Sequence, residues 1–401
     1  MRPDVDCVVV GAGLVGAAQA LALQRLGLTV LVIDTRKPLG GEPGGDVRGL
    51  ALAPSSRNIL RGIGIWPALA GHVIPIEEVR VSDQGRFGAA RLQARDVGFE
   101  ALGYVIPADR LMHAFEAALV AAVPVRWQTT IESIETANHA ARVTVRSGDV
   151  GETLSTALVI GADGAGSRVR ELLGIRTRTR DYRQHAIVVN MNVTGIEPRV
   201  AYERFTPHGP IALLPIGHER HVAVRCCAEA DLDRLLALDD ASYAAELLAG
   251  FGSRFRDFSA LGKRSHHPLR LARAQRITAE RAVLVGAAAN CIHPNGAQGL
   301  NLGLRDVAAL AAALRGEPHR DPGAPAHLAA YADSRAADHR NVLRFTDALA
   351  QVFASRLPFV PVLRDAAMVA FDMMPPVKRA LIRRACGLFG ETPLLAWSPE
   401  T

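Results

Sequence analysis

The sequence predicts an α/β fold in which a Rossmann-like parallel sheet is interrupted by a second, sheet-based unit and followed by helices. Two observations predict it. Apolar runs end in glycine-bearing turns that open helices at three places, residues 11–16, 161–166 and 286–303. Residues 73–99 alternate apolar and polar, and residues 185–228 are strand-rich.

The elements follow in order. Residues 7–10 form a buried strand that runs into Gly11, Gly13 and Gly16 in a G-x-G-x-x-G turn. A helix continues through residue 26, and Gly27 stops it. Residues 29–33 form the next strand, with Asp34 at its end. In this context the turn is a dinucleotide fingerprint: a tight turn, close approach to a pyrophosphate, close helix–strand packing, and an acid for a ribose hydroxyl. Glycine turns of this kind also arise for packing alone. Residues 40–46 are glycine-rich and read as a loop. A helix is expected at 109–120 and strands at 125–134 and 141–145. Residues 158–160 form a strand that enters the second glycine turn, where Asp163 is placed to cap it. Strands at 186–193, 211–215 and 221–227 and a helix at 241–250 belong to the second unit. Residues 282–285 form a buried strand before the third turn, Gly286 to Gly303, whose helix start suits an anionic ligand. A long helix follows at 326–354, with Pro325 in its first turn. The tail, 351–401, holds Pro358, Pro361, Pro375 and Pro376 between short apolar helical pieces.

At 401 residues and 49% apolar content, one domain or two closely joined domains with a large core are expected. Five cysteines in odd number, without C-x-x-C spacing, argue for reduced thiols and a cytoplasmic location. The first strand begins by residue 7, which leaves no room for a targeting segment, and no apolar stretch reaches spanning length. The net charge of +6 is diffuse: all but three of the 46 basic residues are arginines, scattered among acids. No nucleic-acid motif accompanies them. His218, Glu219, Arg220 and His221 look metal-like, but no third ligand cluster joins them and a turn between strands is expected, so no metal is implied. Cys226 and Cys227, adjacent on a strand, should point to opposite faces as packing residues.

Taken together, the three turns resemble those of the FAD-dependent aromatic-ring monooxygenases of the p-hydroxybenzoate hydroxylase fold. Within these the chain is most similar to the ubiquinone-biosynthesis hydroxylases. Residues 46–52, with Arg48, resemble their arginine-containing loop. Residues 79–88, 101–106, 203–210 and 262–265 resemble the 2-polyprenyl-6-methoxyphenol hydroxylase branch, although sister enzymes share much of them. The resemblance runs from residue 5 to about 350. It implies a Rossmann-like FAD-binding domain over 1–72, 100–180 and 268–350, an inserted β-sheet substrate domain over 73–99 and 181–267, and a helical tail over 351–401.

The implied chemistry is hydroxylation of a polyprenylated phenol by FAD, reduced by NAD(P)H and charged with dioxygen as a C4a-hydroperoxide. The nearest alternatives are a sister hydroxylase acting at another ring carbon or on a small soluble phenol, and a flavin-binding but catalytically silent subunit of a ubiquinone-synthesis complex. Other ubiquinone-biosynthesis proteins are implied as partners.

Carried over, Gly11, Gly13 and Gly16 cradle the FAD pyrophosphate, and Asp34 holds the ribose. Arg48 and Arg110 reach the cofactor, unless they are a surface salt-bridge residue and a plain helix-start arginine. Asp163 belongs to the second flavin motif. Gly286, Pro294, Gly296, Gln298, Gly299, Leu300 and Asn301 form the loop and helix start beside the flavin ring, where N–H groups stabilise negative charge. The catalytic candidates are His293, Pro294 and His208; His293 has a structural reading as a backbone-bonded residue, and His208 as either ring-facing or structural. The superfamily's Asp at the start of the third turn is Ala287 here, where the methoxyphenol branch has a familiar asparagine. The family's Ala-Gly-Gln-Gly reads Gly296, Ala297, Gln298, Gly299, a local swap.

A prenylated phenol is nearly insoluble, so peripheral contact at the inner face of the membrane is expected. Residues 355–386 carry Arg356, Arg364, Lys378, Arg379, Arg383 and Arg384 against Asp365 and Asp372, with apolar pieces between them. They read either as an interfacial anchor or as a packing element. As an anchor, the tail would be dispensable for folding, and a chain ending at Gln351 should stay folded with FAD.

Overall fold

A parallel sheet is built around the strand Val5–Val10, which lies between Val150–Gly161 and Val30–Ile33. The computed structural model describes residues 3–40, 48–252, 254–291, 298–316, 321–354 and 360–388. Ala282–Leu284 and Val125–Arg126 extend the sheet in parallel, and Ala140–Ser147 and Thr129–Ala137 add an antiparallel ribbon. Cys7, Val8 and Val9 are fully buried, because the sheet is covered on both faces and its central strand must be apolar throughout. Helices Leu14–Gln24, Ala108–Ala122 and Gln298–Ala313 cover one face through Leu21, Leu23, Leu111, Phe115, Leu304 and Val307. Gly303 lets two of them close on each other: a Cβ there would lie 2.7 Å from Val15 Cγ2.

The second sheet has nine strands. Its order runs Asn290–Cys291, Ser265–Ala274, Thr177–Thr194, Arg220–Ala228, Ile211–Pro215, Val200–Phe205, Glu78–Asp83, Ala89–Gln93, with Asp257–Ser259 paired to Thr177–Thr194. Period-two alternation assigns its faces. Ile187, Val189, Met191, Leu213 and Ala223 pack under helix Asp240–Phe251 through Tyr243 and Leu247. On the other face Val79, Ala201, Leu214 and Ile216 meet Ile76 and Val105 of a three-stranded sheet, Gly49–Leu52, Gly103–Pro107 and Ile74–Ile76. That small sheet is the floor between the dinucleotide-type sheet and the nine-stranded one.

The expected elements lie close to those observed, but two long strands differ. The expected strand 186–193 is the inner part of Thr177–Thr194, whose register shifts between Asp181 and His185. From Thr177 to Val188 it pairs with Ser265–Ala274. The nine-stranded sheet therefore begins before residue 181 and extends past 267, and Ile74–Ile76 belongs to the floor. Exposed outer halves of these strands, such as Thr177 to Arg183, lack the apolar alternation that marks a strand in sequence. Cys226 and Cys227 do point to opposite faces, and all five cysteines are free thiols.

The tail is a packing element where it is described. Helix Val360–Asp372 lies along Ala89–Gln93, and helix Pro375–Ala385 buries Ile382, with Cys386 beyond it, against Val97, Leu92 and Phe99. Asp365 is buried 3.6 Å from Arg86, and Lys378 sits between Asp372 (3.0 Å) and Asp96 (3.4 Å). Ending the chain at Gln351 would uncover this cluster, contrary to the expectation of a dispensable tail. Arg356 lies outside the described residues. Among the described residues no helix is long and apolar enough to cross a membrane.

Candidate active site

The three glycines of the first turn do different work. Gly11, at φ +104, would place a Cβ 2.6 Å from the Ala162 carbonyl, and Gly16 would place one 1.9 Å from the Gly11 carbonyl. Both are required by packing. A Cβ on Gly13 would meet nothing within 4 Å. Gly13 is the N-cap of helix Leu14–Gln24, which has no side-chain cap and no acid in its first turn. The orphan N–H groups of that turn therefore open onto free space at the positive end of the helix, a cradle for a phosphate anion. An FAD pyrophosphate fits it.

Asp34 follows the neighbouring strand. Its Oδ2 accepts from the Ala12 N–H at 2.5 Å and its Oδ1 from the Arg36 N–H at 2.8 Å, so the carboxylate braces the glycine turn. Arg36 stacks over Trp127 at 4.5 Å and donates to Glu116 at 2.7 Å and to the Ala12 carbonyl at 3.0 Å. The sequence reading missed Arg36, whose partners lie 24 and 80 residues away.

Asp163 acts inside its own turn. Its Oδ1 accepts from the Ser167 hydroxyl at 2.5 Å and its Oδ2 from the Val169 N–H at 3.0 Å, and Ser167 caps helix Arg168–Leu172. Arg170 then donates to the Ala288 carbonyl at 2.9 Å, which ties the second turn to the third.

The third turn starts at Gly286, at φ +60, with its N–H donating to Asp306 Oδ2 at 3.0 Å. Asp306 is fully buried and accepts from Arg335 Nε and His339 Nε2, both at 2.7 Å. A carboxylate only accepts, so Nε2 of His339 carries the proton, and Nδ1 accepts from the Asn290 amide at 3.0 Å. Arg335 also pairs with Asp338 at 2.7 Å, which Arg305 holds from the other side at 2.8 Å. Although burial opposes ionisation, His339 and Arg335 hold the Asp306 carboxyl below its usual range. Arg305 and Arg335 likewise overcome burial and bring Asp338 down to about 2. No role was expected for Asp306. The available signal was a charged pair, Arg305 and Asp306, the only charged residues of helix Gln298–Ala313.

The remaining site residues are spread around this frame. Arg48 Nη1 lies 3.0 Å from His267 Nε2; arginine only donates, so that nitrogen accepts. This contact joins the floor sheet to the nine-stranded sheet. Arg110 is exposed in the first turn of Ala108–Ala122, and its N–H is capped by Asp109 at 2.7 Å. Asn301 Oδ1 accepts from the Ala53 N–H (2.8 Å) and the Ser56 hydroxyl (2.6 Å), and its Nδ2 donates to the Ala51 carbonyl (3.0 Å). Asn301 thereby fastens helix Gln298–Ala313 to the floor. Gln298 is buried and Leu300 half-buried at the start of that helix, while Gly299 is exposed. His208 is not on a strand but in the exposed turn before Ile211–Pro215. Thr206 Oγ1 donates to the Gly209 carbonyl at 2.7 Å and Gly209 adopts φ +122, which closes the turn and ends the strand at Phe205. His221 is buried on its strand and His218 lies in the turn before it, and no metal-binding cluster is present among the described residues. His293, Pro294 and Gly296 lie outside the described residues.

Residues 4–346 match the family model described as FAD binding domain. The chain is 35% identical to the ubiquinone hydroxylase UbiL of Rhodospirillum rubrum, over 95% of this chain and 89% of that protein. It is 28% identical to the 3-demethoxyubiquinol 3-hydroxylase of Escherichia coli, over 96% and 98%. The crystal structure of p-nitrophenol 4-monooxygenase PnpA from Pseudomonas putida superimposes with a TM-score of 0.77 at 17% identity, covering 98% of this chain and all of that one; at that identity the likeness speaks for the fold. The anion cradle at Gly13, the turn braced by Asp34 and the match over most of the chain agree, and the chain belongs to the FAD binding domain family as an FAD- and NAD(P)H-dependent aromatic-ring hydroxylase.

Proposed function

We propose that this chain hydroxylates a polyprenylated phenol, 2-polyprenyl-6-methoxyphenol, in ubiquinone biosynthesis. The observation that carries the reading is similarity along almost the whole chain to a protein named a ubiquinone hydroxylase. A second reading, hydroxylation at another ring carbon, is favoured by the name of the Escherichia coli relative. Deleting the gene and profiling quinone intermediates separates them. Accumulation of the polyprenyl methoxyphenol supports the first reading, and accumulation of demethoxyubiquinol supports the second.

Bound FAD, reduced by NAD(P)H, supplies oxygen transfer from dioxygen to the ring. The chain's residues bind and orient. The first-turn N–H groups at Gly13 hold the pyrophosphate, with Gly11 and Gly16 shaping the turn. Asp34 keeps acceptor capacity for a ribose hydroxyl beyond its two backbone bonds. Asp163 shapes the second turn. Arg48 and Arg110 reach toward the cofactor from the floor sheet and from the helix beside it. Gly286 and the helix start at Gln298, Gly299, Leu300 and Asn301 flank the ring, together with Pro294 and Gly296. Of the proton-handling candidates, His293 belongs to the same loop, and His208 is placed in an exposed turn.

Ala287 is exposed in the short turn Gly286–Ala288 and offers the cofactor no hydrogen bond. Ala287→Asp or Ala287→Asn is expected to tighten FAD binding roughly fivefold, the equivalent of about 1 kcal/mol for one added hydrogen bond. Fluorescence titration of the apoprotein checks it; unchanged or weaker affinity in both variants places the ribityl chain elsewhere.

An insoluble substrate has to be collected from a bilayer or from another ubiquinone-biosynthesis protein. The turn between helices Val360–Asp372 and Pro375–Ala385 exposes Met373 and Met374, and the start of the second helix exposes Val377, with Arg379 close by. Peripheral binding there should appear as salt-sensitive flotation with vesicles containing anionic lipid, weakened by Met373→Glu. Absence of flotation assigns delivery to a protein partner.

A further inference from the structure

Glu203 sits where the fold has no structural use for a carboxylate. It lies on strand Val200–Phe205, paired with Val81 of Glu78–Asp83 on one side and Ala212 of Ile211–Pro215 on the other. Val200 and Tyr202 pack beneath helix Asp240–Phe251, and Ala201 packs against Ile76 and Val105 of the floor. By alternation Glu203 shares the face of Ala201, toward the floor and the flavin-binding unit. The transverse row continues from Ala212 to Val224, and from Val224 to Val188. Glu203 is thus a carboxyl between Val81 and Ala212, in a row that continues with Val224 and Val188 on the strands beyond. Cys226 is the titratable group that bears on it from the next strand but one, and Asp83 follows Val81 on the same face of its strand. Glu203 has no hydrogen-bond or ion-pair partner among the described residues. Part of its surface stays reachable, yet crowding by protein dominates, and burial pushes its pKa up to about 7. An unpaired carboxyl on an apolar face costs stability, and such groups cluster at functional sites.

We propose that Glu203 is the proton acceptor for the substrate's phenolic hydroxyl, an inference that rests on the phenol reading above. The phenol O–H bond breaks and a carboxyl O–H bond forms, so the carboxylate becomes a neutral acid and the phenol a phenolate. The phenolate donates electron density to the ring carbons ortho and para to its oxygen, which is what oxygen transfer to the ring requires. A carboxylate ionised near neutral pH can accept that proton and release it to solvent after turnover.

The test uses FAD-loaded enzyme and, as probe, 2-methoxyphenol carrying one prenyl unit at carbon 6. Wild type is expected to form hydroxylated product with a kcat that rises with pH through an inflection near about 7. Glu203→Gln keeps the size and flavin content, and should lose that inflection and about 100-fold in kcat. Its probe Kd, read from the flavin absorbance change, should shift far less. Glu203→Asp should recover part of the rate with a displaced inflection. If Glu203→Gln keeps the inflection, or loses probe affinity with kcat intact, Glu203 is not the acceptor although the phenol reading stands. If wild type does not hydroxylate the probe, the phenol reading fails and the role of Glu203 with it.

Discussion

Gly13→Glu is expected to give a folded protein that carries no flavin. The variant isolates binding from folding because of what surrounds each glycine. At Gly11 and Gly16 an added Cβ would collide with backbone at 2.6 and 1.9 Å, so substitutions there break the turn itself. At Gly13 the added atoms enter open space, so the chain has no reason to unfold. A glutamate there would put negative charge at the uncapped helix start where the pyrophosphate must sit. The readouts are flavin absorbance of the purified protein and its far-ultraviolet circular dichroism. Wild-type spectra in both would move the pyrophosphate to another turn. Gly16→Ala is the companion, and should lose folded yield as well as flavin.

Replacement of Asp306 by alanine is expected to lower stability by about 3–5 kcal/mol, because it removes one of the two carboxylate partners of the buried Arg335 and leaves His339 Nε2 and the Gly286 N–H without their acceptor. Asp306→Asn should cost less, since one oxygen still accepts. Denaturant unfolding of the apoproteins measures both. The pH dependence follows from the same network. Asp306 and Asp338 have folded-state pKa values below their unfolded ones, Asp338 at about 2. Their contribution is complete above the unfolded carboxyl range and declines as pH falls toward the folded values. Acid unfolding of wild type should therefore steepen below pH 4, roughly the unfolded aspartate value, and Asp306→Ala should show a shallower acid limb. An equal acid limb in the variant would show that the network does not set acid stability.

The glycine turns were legible because each is a local event. Gly11, Gly16 and Gly286 need positive φ or close backbone approach, and those needs are met by residue type at fixed spacing. Helix Ala108–Ala122 and strands Ile211–Pro215 and Arg220–Ala228 were legible for the same reason, since periodicity records which side is buried. The outer half of Thr177–Thr194 was not, because its side chains face solvent on a sheet edge held only by backbone pairing with Ser265–Ala274. His208 shows a related failure. It sits close to a strand in sequence, but the hydroxyl of Thr206 closes a turn one residue past the strand's end.

By itself the sequence determined the fold class, the order of the three turns and the dinucleotide character of the first, because short-range chemistry decides them. Tertiary structure alone decided what each polar side chain does there. Asp34 braces the turn that holds it, Asn301 ties a helix to the floor, and Asp306 joins the third turn to Arg335 and His339. Glu203 is set between Val81 and Ala212, which come from two other strands. The physical reason is desolvation. A buried charge must find partners, or a function, among groups that the fold brings together from distant parts of the chain, and no local pattern encodes which groups those are.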